Sequence, residues 1–289
     1  MNKKQIFFNW LKLRLSNEAL LWLEAKSTLL SQQPKDNDVF IAFSAAIRYS
    51  GKSALVLSPE EEAEAQTILP LWSPRGWSLD EISRVYLLLS LNSQNKKAFS
   101  TILDKLFQSA DMRECATLIK AISILPHPEV HYQRAREATR TNMKNVFEAL
   151  THYNPYPAEH FNEDSWNQMI LKGLFIESPL YPIIGLDRRA NKNLMMMLLD
   201  YARERWAASR SISPELWRGV TPTANEDQLE SLNKAIHTTD SFEQKGVALS
   251  LYAAKNKEVK GLLKPFPQLI KSIESGNLTW ERLITSAKG

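Results

Sequence analysis

The run "HYNPYPAEHFNEDSWNQM", residues 152 to 169, sets two histidines and three carboxylates around two prolines. His160 beside Glu159, Glu163 or Asp164 supplies the nitrogen and oxygen donors that a divalent metal or an acid–base pair would use. No spacing rule sharpens that reading, because the prolines impose an extended or turned backbone on the stretch. The plainer alternative is a turn in which Asn162 or Asp164 caps the next helix, accepting N–H bonds at its positive end. A cap explains the carboxylate density without catalysis and is the stronger reading.

Two other runs invite chemistry. "HPEVH" places His127 and His131 four apart, but a helical zinc pair needs a glutamate directly after the first histidine. Pro128 stands there instead and opens the helix, so a capping His127 and a surface His131 fit better than ligands. "GLDRRAN" sets Asp187, Arg188 and Arg189 before a helix start near Asn191. Adjacent arginines and unpaired helix N–H groups can hold a phosphate or carboxylate, which makes this the best anion candidate in the chain. The competing reading pairs Asp187 with one arginine or uses it as a cap, with both arginines anchoring neighbouring helices.

Elsewhere the residue types suit packing. Asp200, Arg203, Glu204 and Arg205 stand at i,i+3 and i,i+4 spacings and read as a salt-bridged helix face. The methionines of "MMM", 195 to 197, point in different directions and are apolar filler. The lysines of "KNKEVKGLLK" read as solvated. Phosphate loops, nucleotide fingerprints, nucleophile elbows and paired-cysteine zinc spacings do not occur.

The elements that must position these residues are helical. Ser58 with Pro59 and Glu61, Ser78 with Glu81, Asp111 with Glu114, and Asp240 with Glu243 form four capping-box signatures. Further helices are expected at 4–31, 37–50, 94–109, 129–151, 163–177, 191–210, 226–237, 266–274 and 279–286. Trp166, Ile170 and Leu174 fall on one face and should look into a core, with Asn167 elsewhere around that helix. The best strand candidate is the short "SALVLS". Nine glycines in 289 residues are too few for a turn-rich β fold. The fold class is therefore all-α, either an irregular α-solenoid of HEAT-like helix pairs or a multi-helix bundle. A single domain over 1–289 is expected, with 225–289 as a candidate helical subdomain.

Composition narrows the function classes. Hydrophobic residues make up 44% and charged residues 24%, which excludes wholesale disorder. A net charge of +4 is mild for a nucleic-acid binder, and no strong basic cluster accompanies it. Cys115 is the lone cysteine, so a reducing, cytoplasmic setting is expected. The opening helix carries Phe7, Trp10, Leu11, Leu15 and Leu20 on one face. It reads as core-facing, with a membrane-surface role as the alternative and no spanning segment.

The central block, 125–218, has its own character. "NPYPAEHFNEDSWNQMILKGLF", "GLDRRAN", "LDYARERWAA" and "SPELWR", in that order, resemble the EboA family of bacterial metabolite-traffic proteins. The resemblance implies a place in a gene cluster that makes or moves specialised metabolites, and carries over no catalytic residue. The expectation is a non-catalytic protein that binds an anionic or prenylated intermediate, or a partner enzyme of the same cluster, with no cofactor or metal. Asn142, Asn154, Tyr156, His160, Asn167, Asp187, Arg188 and Arg189 are its candidate ligand-binding residues, polar groups at loops and helix starts. Two alternatives stand beside it: a pathway enzyme using His160 with Asp164 or Asp187 and an arginine, and a HEAT-like nucleic-acid binder.

Overall fold

Helix punctuation carries over into three dimensions. The computed structural model describes residues 2–32 and 34–286, and among them no β-strand occurs, only an isolated bridge between Ala54 and Ser78. The protein is all-α. "SALVLS" fails as a strand because a single bridge leaves its other backbone groups without a ladder. Contacts gather the chain into two units, Met1–His160 and Phe161–Gly289.

In the first unit the helices are α1 (Lys3–Lys12), α2 (Asn17–Ser31), α3 (Asp36–Ser50), α4 (Pro59–Ile68) and α5 (Leu79–Leu88). They continue as α6 (Lys96–Ser109), α7 (Met112–Ala121), α8 (Tyr132–Arg140), α9 (Lys144–Thr151) and α10 (Tyr156–His160). The boxes at Ser58 and Asp111 close reciprocally. Ser58 Oγ accepts from the Glu61 N–H at 3.3 Å while Glu61 takes the Ser58 N–H at 2.8 Å, and Asp111 and Glu114 repeat this at 2.8 and 3.2 Å.

Two expected long helices are broken. The 4–31 segment stops at Lys12 and restarts after Ser16, whose side chain caps α2 by accepting from the Ala19 N–H. The intervening Arg14 forks both oxygens of Glu61 and also donates to the Trp10 and Val56 carbonyls. The 129–151 segment divides into a 3₁₀ turn (Pro128–His131), α8 and α9. There Thr141 Oγ1 accepts from the Met143 N–H at 3.1 Å, a local side-chain bond that competes with helix continuation.

The middle of this unit is α5. Every residue from Leu79 to Leu88 is buried, so α5 has no solvent face. It packs against α1, α2, α3 and α7, with Phe7, Trp10, Phe43 and Trp72 in the same core. As expected, α1 turns Phe7, Trp10 and Leu11 inward. Full burial forces the polar residues of α5 to find partners inside. Asp80, fully buried, accepts from Arg84 at 2.5 Å, from Arg113 at 2.7 and 3.2 Å, and from the Ser78 hydroxyl at 2.6 Å. Glu81 takes the Ser78 N–H at 2.9 Å and pairs with Lys120 at 2.8 Å.

The second unit holds α11 (Glu163–Phe175), α12 (Lys192–Ala207), α13 (Leu229–Ile236) and α14 (Ser241–Ala253). Beyond these come α15 (Lys257–Gly261), α16 (Pro267–Glu274) and α17 (Trp280–Ser286). Three 3₁₀ turns, Pro214–Gly219, Thr221–Thr223 and Glu226–Gln228, join α12 to α13, so the expected 226–237 helix begins as a 3₁₀ turn. Trp166, Ile170 and Leu174 of α11 are buried as expected. Asn167 is buried too, which the sequence reading did not foresee. The α14 helix packs on the Pro214–Gly219 turn and on α13, α15, α16 and α17. Gly246 permits this, because a Cβ there would lie 2.5 Å from the Pro214 carbonyl oxygen.

At the start of α14 the expected box closes on one side only. Asp240 accepts from the Phe242 and Glu243 N–H groups at 2.8 and 3.1 Å. Glu243 turns inward instead of back, is buried, and accepts the Thr238 hydroxyl at 3.3 Å. Burial and the nearby Asp240 charge push its carboxyl above the ordinary 4.5, and Thr238 with the Trp217 and Trp206 indoles offsets only part of that. The folded state therefore binds the proton more tightly than the unfolded chain. The resulting stability is present below pH 4.5 and is lost as pH rises through the folded value. Glu243→Gln removes the charge that must be buried at neutral pH. Its thermal midpoint should exceed the parent's at pH 7.5 and converge with it near pH 4 (from about +1 kcal/mol to near zero). A constant difference across that range, followed by circular dichroism, would show that the carboxyl is not the source.

Candidate functional site

The opening segment of histidines and prolines is a built turn. Asn162 caps α11, its side-chain oxygen accepting from the Ser165 N–H at 2.9 Å. Asn154 is buried, accepting from the Tyr156 N–H at 3.0 Å and donating to the Ala149 carbonyl at 3.4 Å. Tyr156 is buried as well, and its hydroxyl donates to the Pro128 carbonyl at 2.6 Å, tying α10 to the turn before α8. Desolvation pushes that phenol well above its ordinary value, so it stays a donor. His160 is exposed, its ring 4.4 Å from that of Tyr156. Asn142 is exposed between α8 and α9.

The histidines of "HPEVH" do not meet at a ligand. His127 occupies the N-cap position as expected, with a left-handed backbone, φ 59°, but its ring bonds the Ser93 carbonyl at 2.7 Å and makes no side-chain cap bond. His131 is buried and not a surface residue: its Nε2 lies 3.0 Å from the Pro126 carbonyl, and desolvation lowers its pKa. Among the described residues no group of three or more His, Cys, Asp or Glu side chains could hold a metal ion.

The arginine run is held by contacts within the fold. Asp187 pairs with Arg218 of "SPELWR" through two bonds of 2.8 and 2.7 Å. Asn191, not Asp187, caps α12, accepting from the Leu194 N–H at 2.8 Å. It also exchanges side-chain bonds with the buried Asn167 at 3.1 and 2.9 Å. Arg189 lies 4.7 Å from the Trp166 ring, a cation–π contact, and Arg188 is exposed. Asn167, Asp187 and Arg189 thus hold the α11–α12 connection through named partners. Asn154 and Tyr156 do the same for the α9–α10 corner.

The concave surface of the second unit lies next to these residues in sequence and was not foreseen. One cavity of about 540 Å³ is lined by Gln168, Leu171, Lys172 and Phe175 of α11, by Tyr201, Glu204 and Arg205 of α12, and by Arg210. A second, of about 330 Å³, shares Phe175, Tyr201 and Arg205 and adds Leu174, Ile212, Phe242 and Ile284 among its apolar walls. The shared residues make the two one groove. Phe175 is 70% exposed, an unusual state for a phenylalanine at a helix end. On the expected salt-bridged face Asp200 pairs with Arg203 at 2.9 Å, while Arg205 donates Nε to the Ser211 carbonyl at 2.9 Å. The spacing 168, 171, 172, 175 with 201, 204, 205 was the available signal, since each set follows one helical face.

Residues 3–221 match the family model described as Metabolite traffic protein EboA. No curated protein and no solved structure matches the chain.

Proposed function

Because the chain belongs to the EboA family, whose members are described as metabolite traffic proteins, we propose that it binds a specialised metabolite non-catalytically, in the groove of its second unit. The groove carries this reading. Its volume falls in the range of small-molecule sites, and every residue lining the larger cavity lies within the matched span. The ligand class is an anionic or prenylated intermediate of a biosynthetic or trafficking cluster. The helices serve as a rigid scaffold, and the lone Cys115 suits a cytoplasmic setting. Asn142, His160 and Arg188, all exposed, are the surface offered to a partner enzyme. Asn154, Tyr156, Asn167, Asp187 and Arg189 keep the loops that carry them in place. No helix is long and apolar enough to cross a membrane among the described residues, so membrane contact is at most peripheral in this proposal.

Native mass spectrometry of the chain purified from its own cells tests the reading. A retained small molecule is expected on the parent protein and not on Phe175→Asp, a change at an exposed side chain that leaves the melting temperature unaltered. Retention by both proteins would place the ligand elsewhere, and retention by neither would remove the support for a bound metabolite.

A further inference from the structure

The two ends of the groove differ in charge. The larger cavity sets Lys172, Arg205 and Arg210 against Glu204, three cations to one carboxylate. The smaller cavity sets Arg205 against Glu177, Glu215 and Asp240. Two of those carboxylates already serve the fold: Asp240 accepts the first N–H groups of α14, and Glu215 takes the Leu180 N–H at 2.9 Å. By residue type the larger cavity is therefore the more cationic end, and an anion is drawn to it. The smaller cavity offers apolar contact instead, through Leu174, Ile212, Phe242 and Ile284. Between them stand Phe175 and Tyr201, common to both cavities.

Two of the three cations stand at defined positions. The Arg205 bond to Ser211 fixes its guanidinium. The Lys172 ammonium lies 5.6 Å from the Phe175 ring, so it stands beside the aromatic floor. Among the described residues the Arg210 side chain has neither an ion-pair nor a hydrogen-bond partner.

We propose that the groove selects organic anions. A carboxylate, phosphate or sulfonate head lies against Arg210, Arg205 and Lys172, and an apolar body runs over Phe175 and Tyr201 into the smaller cavity. This rests on the groove being the metabolite site, and it decides between the two ligand classes named there: charge is required and a neutral prenyl chain is not enough.

Two fluorescent probes with the same apolar body test it. Anilinonaphthalene sulfonate carries the anionic head and N-phenylnaphthylamine lacks it. The full chain should bind the sulfonate saturably at one site. Arg210→Glu should weaken it about tenfold or more, the scale of one charge-assisted bond, and leave the neutral probe unchanged. Phe175→Asp should weaken both. Circular dichroism melts confirm that each variant is folded before the probes are compared. Naphthoate and naphthyl phosphate as competitors distinguish a carboxylate head from a phosphate. One of them should displace the sulfonate about tenfold more effectively than neutral naphthamide.

Equal binding of both probes, with Arg210→Glu inert and naphthamide competing as well as the anions, overturns the anion selection. If Phe175→Asp still weakens both probes in that case, the groove remains the binding site and only its selectivity is wrong. If Phe175→Asp affects neither, the groove itself is not the site and both proposals fall.

Discussion

Asp80→Asn is expected to cost about 3–5 kcal/mol of folding stability, because it leaves a buried guanidinium without its counter-charge. Arg84 is as deeply buried as its partner, with side-chain exposures of 3% and 0% across a 2.5 Å contact. Its Nε donates to the Phe43 carbonyl at 3.0 Å, so the side chain cannot swing out to water without breaking that bond. Glu114 stands 3.8 Å away and replaces only part of the lost attraction. Asparagine keeps the volume, so the loss reads charge and not a cavity. Arg113 is 39% exposed, so Arg113→Met should cost about 1 kcal/mol, because the remaining Asp80–Arg84 pair stays intact. The exposed Lys105–Asp36 pair sets the lower bound, at a few tenths of a kcal/mol. Urea unfolding followed by circular dichroism orders the three. A cost below about 1 kcal/mol for Asp80→Asn would mean that the network is not holding α5 in place.

The same network makes the first unit acid-sensitive. Burial alone would raise the Asp80 carboxyl, but Arg113, Ser78 and Arg84 outweigh it and hold the pKa below the ordinary 3.8. A depressed folded value means that the stabilisation is complete above the unfolded pKa and is lost as pH falls through the folded one. Glu243 in the second unit runs the other way, gaining as pH falls. The two units should therefore respond to acid with opposite sign at these positions.

What could be read in the sequence was what is local. A capping residue and its glutamate lie three apart, so Ser58, Asp111 and Asn162 announce helix starts without any tertiary information. The Asp80–Arg84 spacing is equally local, yet at i,i+4 it reads as an ordinary surface pair. Only the packing of α1, α2, α3 and α7 around α5 buries it. The same holds for Asp187. Two arginines adjoin it in the chain, and its partner is Arg218, 31 residues on, because the bend after α12 returns the Pro214–Gly219 turn to that loop. The groove was missed for a third reason. Phe175 at a helix end reads as core, and the spacings 168, 171, 172, 175 and 201, 204, 205 mark a shared face on each helix without showing that Phe175 is 70% exposed.

Gly246→Ala supplies the second large effect. In a helix interior alanine is favoured over glycine by about 1 kcal/mol, so propensity alone forecasts a gain. Here the added methyl would meet Pro214 at three atoms, 2.4 Å from Cβ, 2.5 Å from O and 2.8 Å from the carbonyl carbon. Two of those three belong to the backbone and cannot rotate away. The α14 helix must then separate from the Pro214–Gly219 turn, which carries the buried Leu216 and Trp217. Overpacking of this kind costs about 1–3 kcal/mol even after the propensity gain, and more where backbone must move. Gly219 provides the control, since its nearest atom is Leu198 Cδ1 at 2.4 Å, on a side chain with rotamer freedom. Gly219→Ala should therefore cost less than Gly246→Ala in the same thermal melt. The groove senses the difference as well. Pro214 and Ile212 line its smaller cavity, so displacing the turn should weaken binding of the neutral and the anionic probe alike, whereas Arg210→Glu separates them. Equal stability of Gly246→Ala and the parent would mean that the close approach of α14 to Pro214 is not what holds that wall of the groove.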